Sequence, residues 1–596
     1  VVGSAEVSDR FLYDMRRTIA DLISDRYYGT LDSLCLDAGL DFTAQAIGNA
    51  LNIVGDNIQA KGRVQKPQGE FWAYQTEGSY DIKEASSAAH LYGKRVASAE
   101  AFTDAKFSHS LADLKNLADY ALAFGSNEFV VCASAYQPWT DKIPGNTGGG
   151  RHYCLNRNNT YWNYSRPFWD YQARCAGLLR KGIPVVDLCV YLGDNPPVKL
   201  LSYRLPEMSE GYNFDVCTTD ALINRTKALD GDIVLPDGMK YRMLVLQKDC
   251  EMTLAALRHI AALVKQGVPL YGDRPAYPVS LAERMHDNEY DKMVTALWGT
   301  GKKESGVHSL GKGHVYWGMT LEEALRKEEI RPDIILKSGN EPEDRMYFTH
   351  RHLPDVDIYF VNNHSENVFS DSIHLRTDRR YAEYWDPVSG ECYSLPAILG
   401  ENSLSLRLSL AARESGFIIV SDRKNDALPA RGFTTDKARK YIVNGDWKVY
   451  FDPRWGGPGE MVFTQLTDWS KKKEPGIVYY SGTAVYKKNI HIDKKEKDKQ
   501  ILLSFDQLGS LARIYLNGHE VSTLWCSPWE TDLTRWAVEG ENSLEIHVVN
   551  SLMNRMIGDA SLPQNERFTY AYPTIATSKD TLVPSGIIGN VYLVAR

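Results

Sequence analysis

Two glutamates carry the most suggestive chemistry in this sequence: Glu70, within Gly69-Glu70-Phe71-Trp72, and Glu100, within Ala99-Glu100-Ala101-Phe102. Each lies at the end of a short apolar run that reads as a β-strand, and the two runs are neighbours along the chain. Glycosidic cleavage uses such carboxyl pairs, because one group must protonate the departing oxygen while another activates water or attacks carbon. The plainer reading is that each glutamate caps a helix or pairs with an arginine. Around them stand residues suited to a sugar: Gln45 after an earlier strand, Trp72 beside Glu70, and Gln137 and Trp139 within Tyr136-Gln137-Pro138-Trp139. His152, Asn158 and Trp162 follow a loop from Pro144 to Gly150 that is too glycine-rich for regular structure and suits a site's rim. Tryptophan faces can stack on sugar rings while amides and imidazole bind hydroxyls; core packing and loop capping are the alternative roles for the same side chains.

The elements that must position these residues alternate. A long apolar-periodic helix from Ser8-Asp9 to about Leu36 precedes strand-like runs at 39–47, 64–72, 95–102 and 128–134, with helices at 82–91, 111–124 and 169–179 that stop at Gly93, Gly125 and Gly182. Such alternation implies a parallel sheet covered by helices, either doubly wound or a (β/α)8 barrel, and chemistry at the C-terminal strand ends favours the barrel. Four units make half a barrel. Residues 1–184 are therefore expected to form its C-terminal half, with the other half upstream of Val1. Residues 185–330 read as a small α/β domain with a mostly helical extension, 331–433 as a β-sandwich, and 434–596 as a jelly-roll sandwich with a hairpin at Asn517-Gly518. The predicted fold class is multidomain α/β plus all-β.

A chain of 596 residues is long enough for several cores, and 43% hydrophobic residues without an apolar run of 18 argues against a membrane span. The 76 acidic side chains outnumber 68 basic ones, giving −8, so nucleic acid is not expected as a partner. Thirteen Trp and 34 Tyr suit a sugar-stacking protein as well as a packed core. Nine scattered Cys with no CxxC signal neither a zinc site nor a disulfide framework. The start at Val1-Val2-Gly3 is read as that of a processed product or fragment.

Five stretches together, GEFW (69–72), SSAAHLYGK (86–94), AEAFT (99–103), YQPW (136–139) and PDGMKYRMLVL (236–246), resemble the family 106 glycoside hydrolases, the α-L-rhamnosidases. LNGHEV (516–521) and SPWETDLT (527–534) resemble the sugar-binding sandwich appended to such enzymes. The resemblance spans nearly the whole chain. It implies removal of terminal α-L-rhamnose from a plant glycan such as pectin, with inversion, and a calcium ion near the site. It makes Glu100 the base and Glu70 a second carboxylate binding substrate or metal, with Trp72, Gln137 and Trp139 shaping the pocket around the sugar. The family's general acid lies in an Asp-Ser-aromatic-Glu type motif ahead of the long helix, and no such motif occurs here. The acid is thus expected from an upstream segment of the same precursor. A polymer-degrading enzyme is expected in the periplasm or outside the cell. The rival readings are a non-catalytic carbohydrate-binding protein and a β-galactosidase-like hydrolase.

Overall fold

The computed structural model describes residues 3–47, 54–73, 80–148, 154–300, 304–336, 346–431, 439–493 and 499–596. The chain opens with helix α1 (Ala5–Leu22), which passes through a π-helical turn (Ile23–Tyr28) into α2 (Gly29–Asp37). Its cap is Ser4, whose hydroxyl accepts from the Val7 N–H, rather than the predicted Ser8-Asp9. Ala5 and Glu6 are good helix formers, so the helix propagates back to the first residue able to cap it.

Then come β1 (Thr43–Ala44), α3 (Asn57–Gly62), β2 (Lys66–Trp72), α4 (Tyr80–Leu91), β3 (Ser98–Thr103), α5 (Leu111–Ala123) and β4 (Glu128–Val131). The four strands make one sheet in the order β1-β2-β3-β4, every pair parallel. The predicted strand at 39–47 shrinks to Thr43–Ala44. Strand β2 lies tight against α4: a Cβ on Gly69 would sit 2.5 Å from the Asp81 carbonyl oxygen. On one face of the sheet Phe71, Phe102, Phe129 and Phe168 pack edge-to-face or tilted, with centroids 5.2 Å apart for Phe71–Phe102 and 6.0 Å for Phe102–Phe168. Burying such a ring contributes about 2–3 kcal/mol. Because strand side chains alternate, burying Phe71 turns Glu70 and Trp72 to the opposite face.

Strand β5 (Pro144–Asn146) lies in the loop after β4, and helix α6 (Arg166–Leu179) follows. Beyond β6 (Ile183–Val185), a second sheet comprises β7 (Leu188–Tyr191), β8 (Phe214–Cys217), β12 (Met243–Leu246), β13 (Leu270–Tyr271), β14 (Gly306–Leu310) and β15 (Gly313–Trp317). The short strands β9 (Lys227–Leu229), β10 (Asp232–Val234) and β11 (Lys240–Tyr241) form a flap of their own. The order β14-β15-β13-β12-β7-β8, parallel except for β14, is a doubly wound arrangement. Helices α7 (Thr219–Arg225), α8 (Leu254–Lys265), α9 (Asp287–Trp298) and α10 (Leu321–Lys327) accompany it. The stretch 280–330, predicted mostly helical, thus also supplies the hairpin β14–β15.

The rest is antiparallel sheet. Two sheets between residues 334 and 421, one of them also containing β6, enclose one core, and two between 439 and 595 enclose another. Asn517 and Gly518 take φ of 51° and 79°, the left-handed values that a tight Asn-Gly hairpin turn demands.

The first sheet is bolted to the first antiparallel unit by a buried cluster. Lys115 Nζ lies 2.7 Å from Asp119 Oδ2, which also accepts from Ser415 Oγ (2.9 Å) and Asn362 Nδ2 (3.2 Å), while Tyr171 donates to the other carboxylate oxygen. Removing one partner of a buried ion pair strands the other charge. Lys115→Met is therefore expected to cost about 3–5 kcal/mol in chemical or thermal unfolding. The double change Lys115→Met/Asp119→Leu should recover much of it, and a single variant as stable as the parent would contradict this account.

Candidate active site

Strands β2 and β3 run in register through Glu70, which faces Glu100 directly, but the next matched pair is Trp72 with Thr103. One extra residue therefore sits in β3 after Glu100. Phe102, at φ 64°, absorbs it, a left-handed conformation costly for a bulky side chain. Plain alternation would turn Thr103 away from Glu100; the bulge brings it back. Thr103 Oγ1 donates to Glu100 Oε1 at 3.2 Å, and Gln45 Nε2 donates to Glu100 Oε2 at 2.6 Å. Both oxygens of Glu100 are thus held, each with a further lone pair to offer.

Glu70 is half-buried, and burial first, then the Glu100 charge, push its carboxyl above the usual range, against its polar contacts with Thr103 and Trp72. Two adjacent carboxyls in such a setting resist ionising together. Beneath them Lys61 is fully buried. Its ammonium donates to the Gln45 carbonyl at 2.7 Å and lies 2.7 Å from Asp81 Oδ1 and 3.7 Å from Glu84 Oε2. That contact holds the turn after β1, where Ala46 and Ile47 take φ of 37° and 77°, and the Ile47 N–H donates to Tyr28 Oη at 2.9 Å.

The structure gathers Gln45, Glu70, Trp72 and Glu100 in one place. Gln137 and Trp139 belong to a second group. The Gln137 amide is taken up by the main chain of Asn146, accepting from its N–H at 2.9 Å and donating to its carbonyl. Asn158 Nδ2 donates to the Pro144 carbonyl at 3.1 Å. Trp139 packs edge-on to Tyr570, centroids 5.3 Å apart, with the Lys142 ammonium over both rings. Trp162 packs edge-on to Trp169 at 6.4 Å. Among the described residues, no hydrogen bond or ring contact joins Gln137, Trp139 or Trp162 to the two glutamates. His152 lies outside the described residues.

Thr103, Lys61 and Tyr570 escaped the sequence reading. Thr103 stands within AEAFT, but alternation assigns it to the wrong face. Lys61 carried no motif. The two glutamates do not by themselves fit a calcium ion, which takes six to eight oxygens. Among the described residues no group of three or more His, Cys, Asp or Glu is placed to hold a metal.

Over residues 1–396 the sequence matches the α-L-rhamnosidases of glycoside hydrolase family 106, and the chain belongs to that family. Residues 420–596 match the sugar-binding domain of glycosyl hydrolases family 2. Among solved structures it is similar to a rhamnosidase from Novosphingobium sp. PP1Y, with 29% identity and a TM-score of 0.89 over all of this chain and 57% of that one. It is also similar to the Formosa agariphila protein named "Putative beta-glucuronidase", 28% identical over 435 residues, 71% of this chain and 35% of that protein. The chain thus spans just over half the length of the first and about a third of the second. Among the described residues no helix is long and apolar enough to cross a membrane.

The raised carboxyl of Glu70 has a measurable consequence. A group whose folded pKa is raised contributes fully to stability at low pH, where both states are protonated, and loses that contribution as pH rises through the folded value. Glu70→Gln should therefore raise the thermal midpoint relative to the parent at pH 8 and leave it unchanged at pH 4. Equal destabilisation at both would show that the charge on Glu70 is not strained.

Proposed function

We propose that this chain is the base-bearing portion of an α-L-rhamnosidase that releases terminal α-L-rhamnose, with inversion, from a pectin-type plant glycan in the periplasm or outside the cell. The observation that carries the reading is Glu100, oriented through both oxygens by Gln45 and Thr103 and set in register with Glu70. As base, Glu100 takes a proton from water while that water attacks the anomeric carbon on the face opposite the departing group, so the first product is β-L-rhamnose. Glu70, the second carboxylate of the site, binds the sugar beside Glu100.

Glu70 is a poor candidate for the acid. Directly paired strands lie about 4.8 Å apart, whereas inverting carboxyl pairs stand roughly 6.5–9.5 Å apart to admit water. The proposal takes the acid from an upstream segment of the same precursor, which would complete a (β/α)8 barrel around the sheet β1-β2-β3-β4. The stripe Phe11, Met15, Ile19 and Leu22, all exposed along one side of α1, supports such a neighbour. A calcium ion at this site would need oxygen ligands in addition to Glu70 and Glu100, such as main-chain carbonyls, side-chain amides and waters.

The test uses the full-length precursor and an aryl α-L-rhamnoside, with the product anomer followed by NMR. β-Rhamnose should appear first. Glu100→Gln should lower kcat by about 10²–10⁴-fold with little change in substrate affinity. A variant rate within about tenfold of the parent would remove Glu100 from the base role. α-Rhamnose as first product would remove inversion, and cleavage of an aryl β-glucuronide instead would remove the substrate assignment.

A further inference from the structure

Away from the two glutamates, at the N-terminal ends of β8 and β12, a cleft of about 790 Å3 opens between the doubly wound sheet and the first antiparallel unit. Four arginines line it: Arg242, Arg326, Arg331 and Arg376. Arg376 is committed, donating to Asp187 Oδ1 at 2.8 Å and to the Arg331 carbonyl at 2.6 Å. The guanidinium groups of the other three form no hydrogen bond or ion pair among the described residues. Arg326 and Arg331 are exposed and Arg242 is half-buried. Glu322 and Glu329 line the same cleft and pair with none of them. Its floor is rigid and partly apolar: Tyr212 donates from Oη to the Ile330 carbonyl at 2.7 Å, and Ile330 and Pro332 line the wall beside it.

These parts divide by chemistry. Guanidinium forks match a carboxylate or sulfate bidentately. Free carboxylates accept from hydroxyls, and an aromatic and aliphatic wall suits the face of a pyranose ring. A simple inorganic anion would use the first set and be repelled by the second; an acidic sugar uses all three. The chain's net charge of −8 repels a polyanion at long range, so a local arginine cleft is where such a polymer would settle.

We propose that this cleft is a secondary glycan-binding site that takes an acidic sugar residue, a uronate or a sulfate ester, through Arg242, Arg326 and Arg331. It anchors an acidic polysaccharide to the chain at a place distinct from the glutamate pair. The inference does not depend on the hydrolase reading, because it is read out as binding.

The chain is titrated with a galacturonate trisaccharide, a sulfated galactan trisaccharide and neutral maltotriose, by calorimetry or NMR. At least one acidic trisaccharide should bind tenfold or more tighter than the neutral one, and should weaken as salt rises from about 50 to about 500 mM; the tighter of the two names the anion. Arg326→Gln/Arg331→Gln, both changes at exposed positions, should lower that affinity at least tenfold, with the thermal midpoint unchanged. Arg242→Gln should do the same independently. Aryl rhamnoside hydrolysis by the precursor should stay at the parental rate in these variants. Equal binding of neutral and acidic trisaccharides, or parental affinity in the double variant, overturns the proposal.

Discussion

The site depends on one buried ammonium. Lys61 has no contact with solvent, and a charge so placed is tolerable only when its protons are all received. Its partners come from different parts of the first sheet: the Gln45 and Ala46 carbonyls after β1 accept its protons, and the Asp81 and Glu84 carboxylates on α4 balance its charge. The Asp81 carbonyl is also the atom that leaves no room for a side chain at residue 69, one position before Glu70. A single ion pair thus fixes the turn that aims Gln45 at Glu100 and the helix against which β2 is set. The left-handed residues Ala46 and Ile47 persist because this surrounding structure over-determines them.

Similar hubs join the larger units. Asp215, inside β8, receives Ser87 Oγ at 3.0 Å and Tyr241 Oη at 3.0 Å, with His90 Nδ1 at 2.8 Å and Lys83 Nζ at 3.1 Å. The His90 and Lys83 contacts hold its carboxyl well below the usual range, against its burial. On α4 the small side chain of Ser87 serves this junction: its hydroxyl donates to Asp215 and accepts from the Val216 N–H, which a larger side chain could not do. Asp119 plays the same part between α5, α6 and the first antiparallel unit. Each hub is a buried carboxylate saturated by donors, so the arrangement is specified geometrically as well as by apolar burial.

These facts explain what the sequence shows and hides. The parallel strands β2, β3 and β4 are legible because their apolar runs are punctuated by glycine, and Glu70 and Glu100 stand out as charges closing such runs. The Asn517-Gly518 hairpin is legible for the same local reason. Strand β8 is not, because its four residues include Asp215, whose partners lie more than a hundred residues away in α4 as well as nearby in Tyr241. Thr103 is hidden by a bulge that reverses its face, and no pattern in AEAFT announces it. Gln137 reads as a ligand-binding amide, yet its donor and acceptor are both engaged by Asn146. Local periodicity reports which way a regular strand points; it cannot report where the strand gains a residue or what a distant side chain claims.

Strand β5 makes a parallel pair with Tyr570–Tyr572, and the Thr147 hydroxyl donates to the Pro573 carbonyl at 2.8 Å. The loop bearing Trp139 therefore takes its shape from main chain more than four hundred residues further on. The C-terminal module, though it resembles an appended sugar-binding unit, is not a detachable cartridge. Truncating the gene before it, or exchanging it for another enzyme's module, would leave that loop without its template.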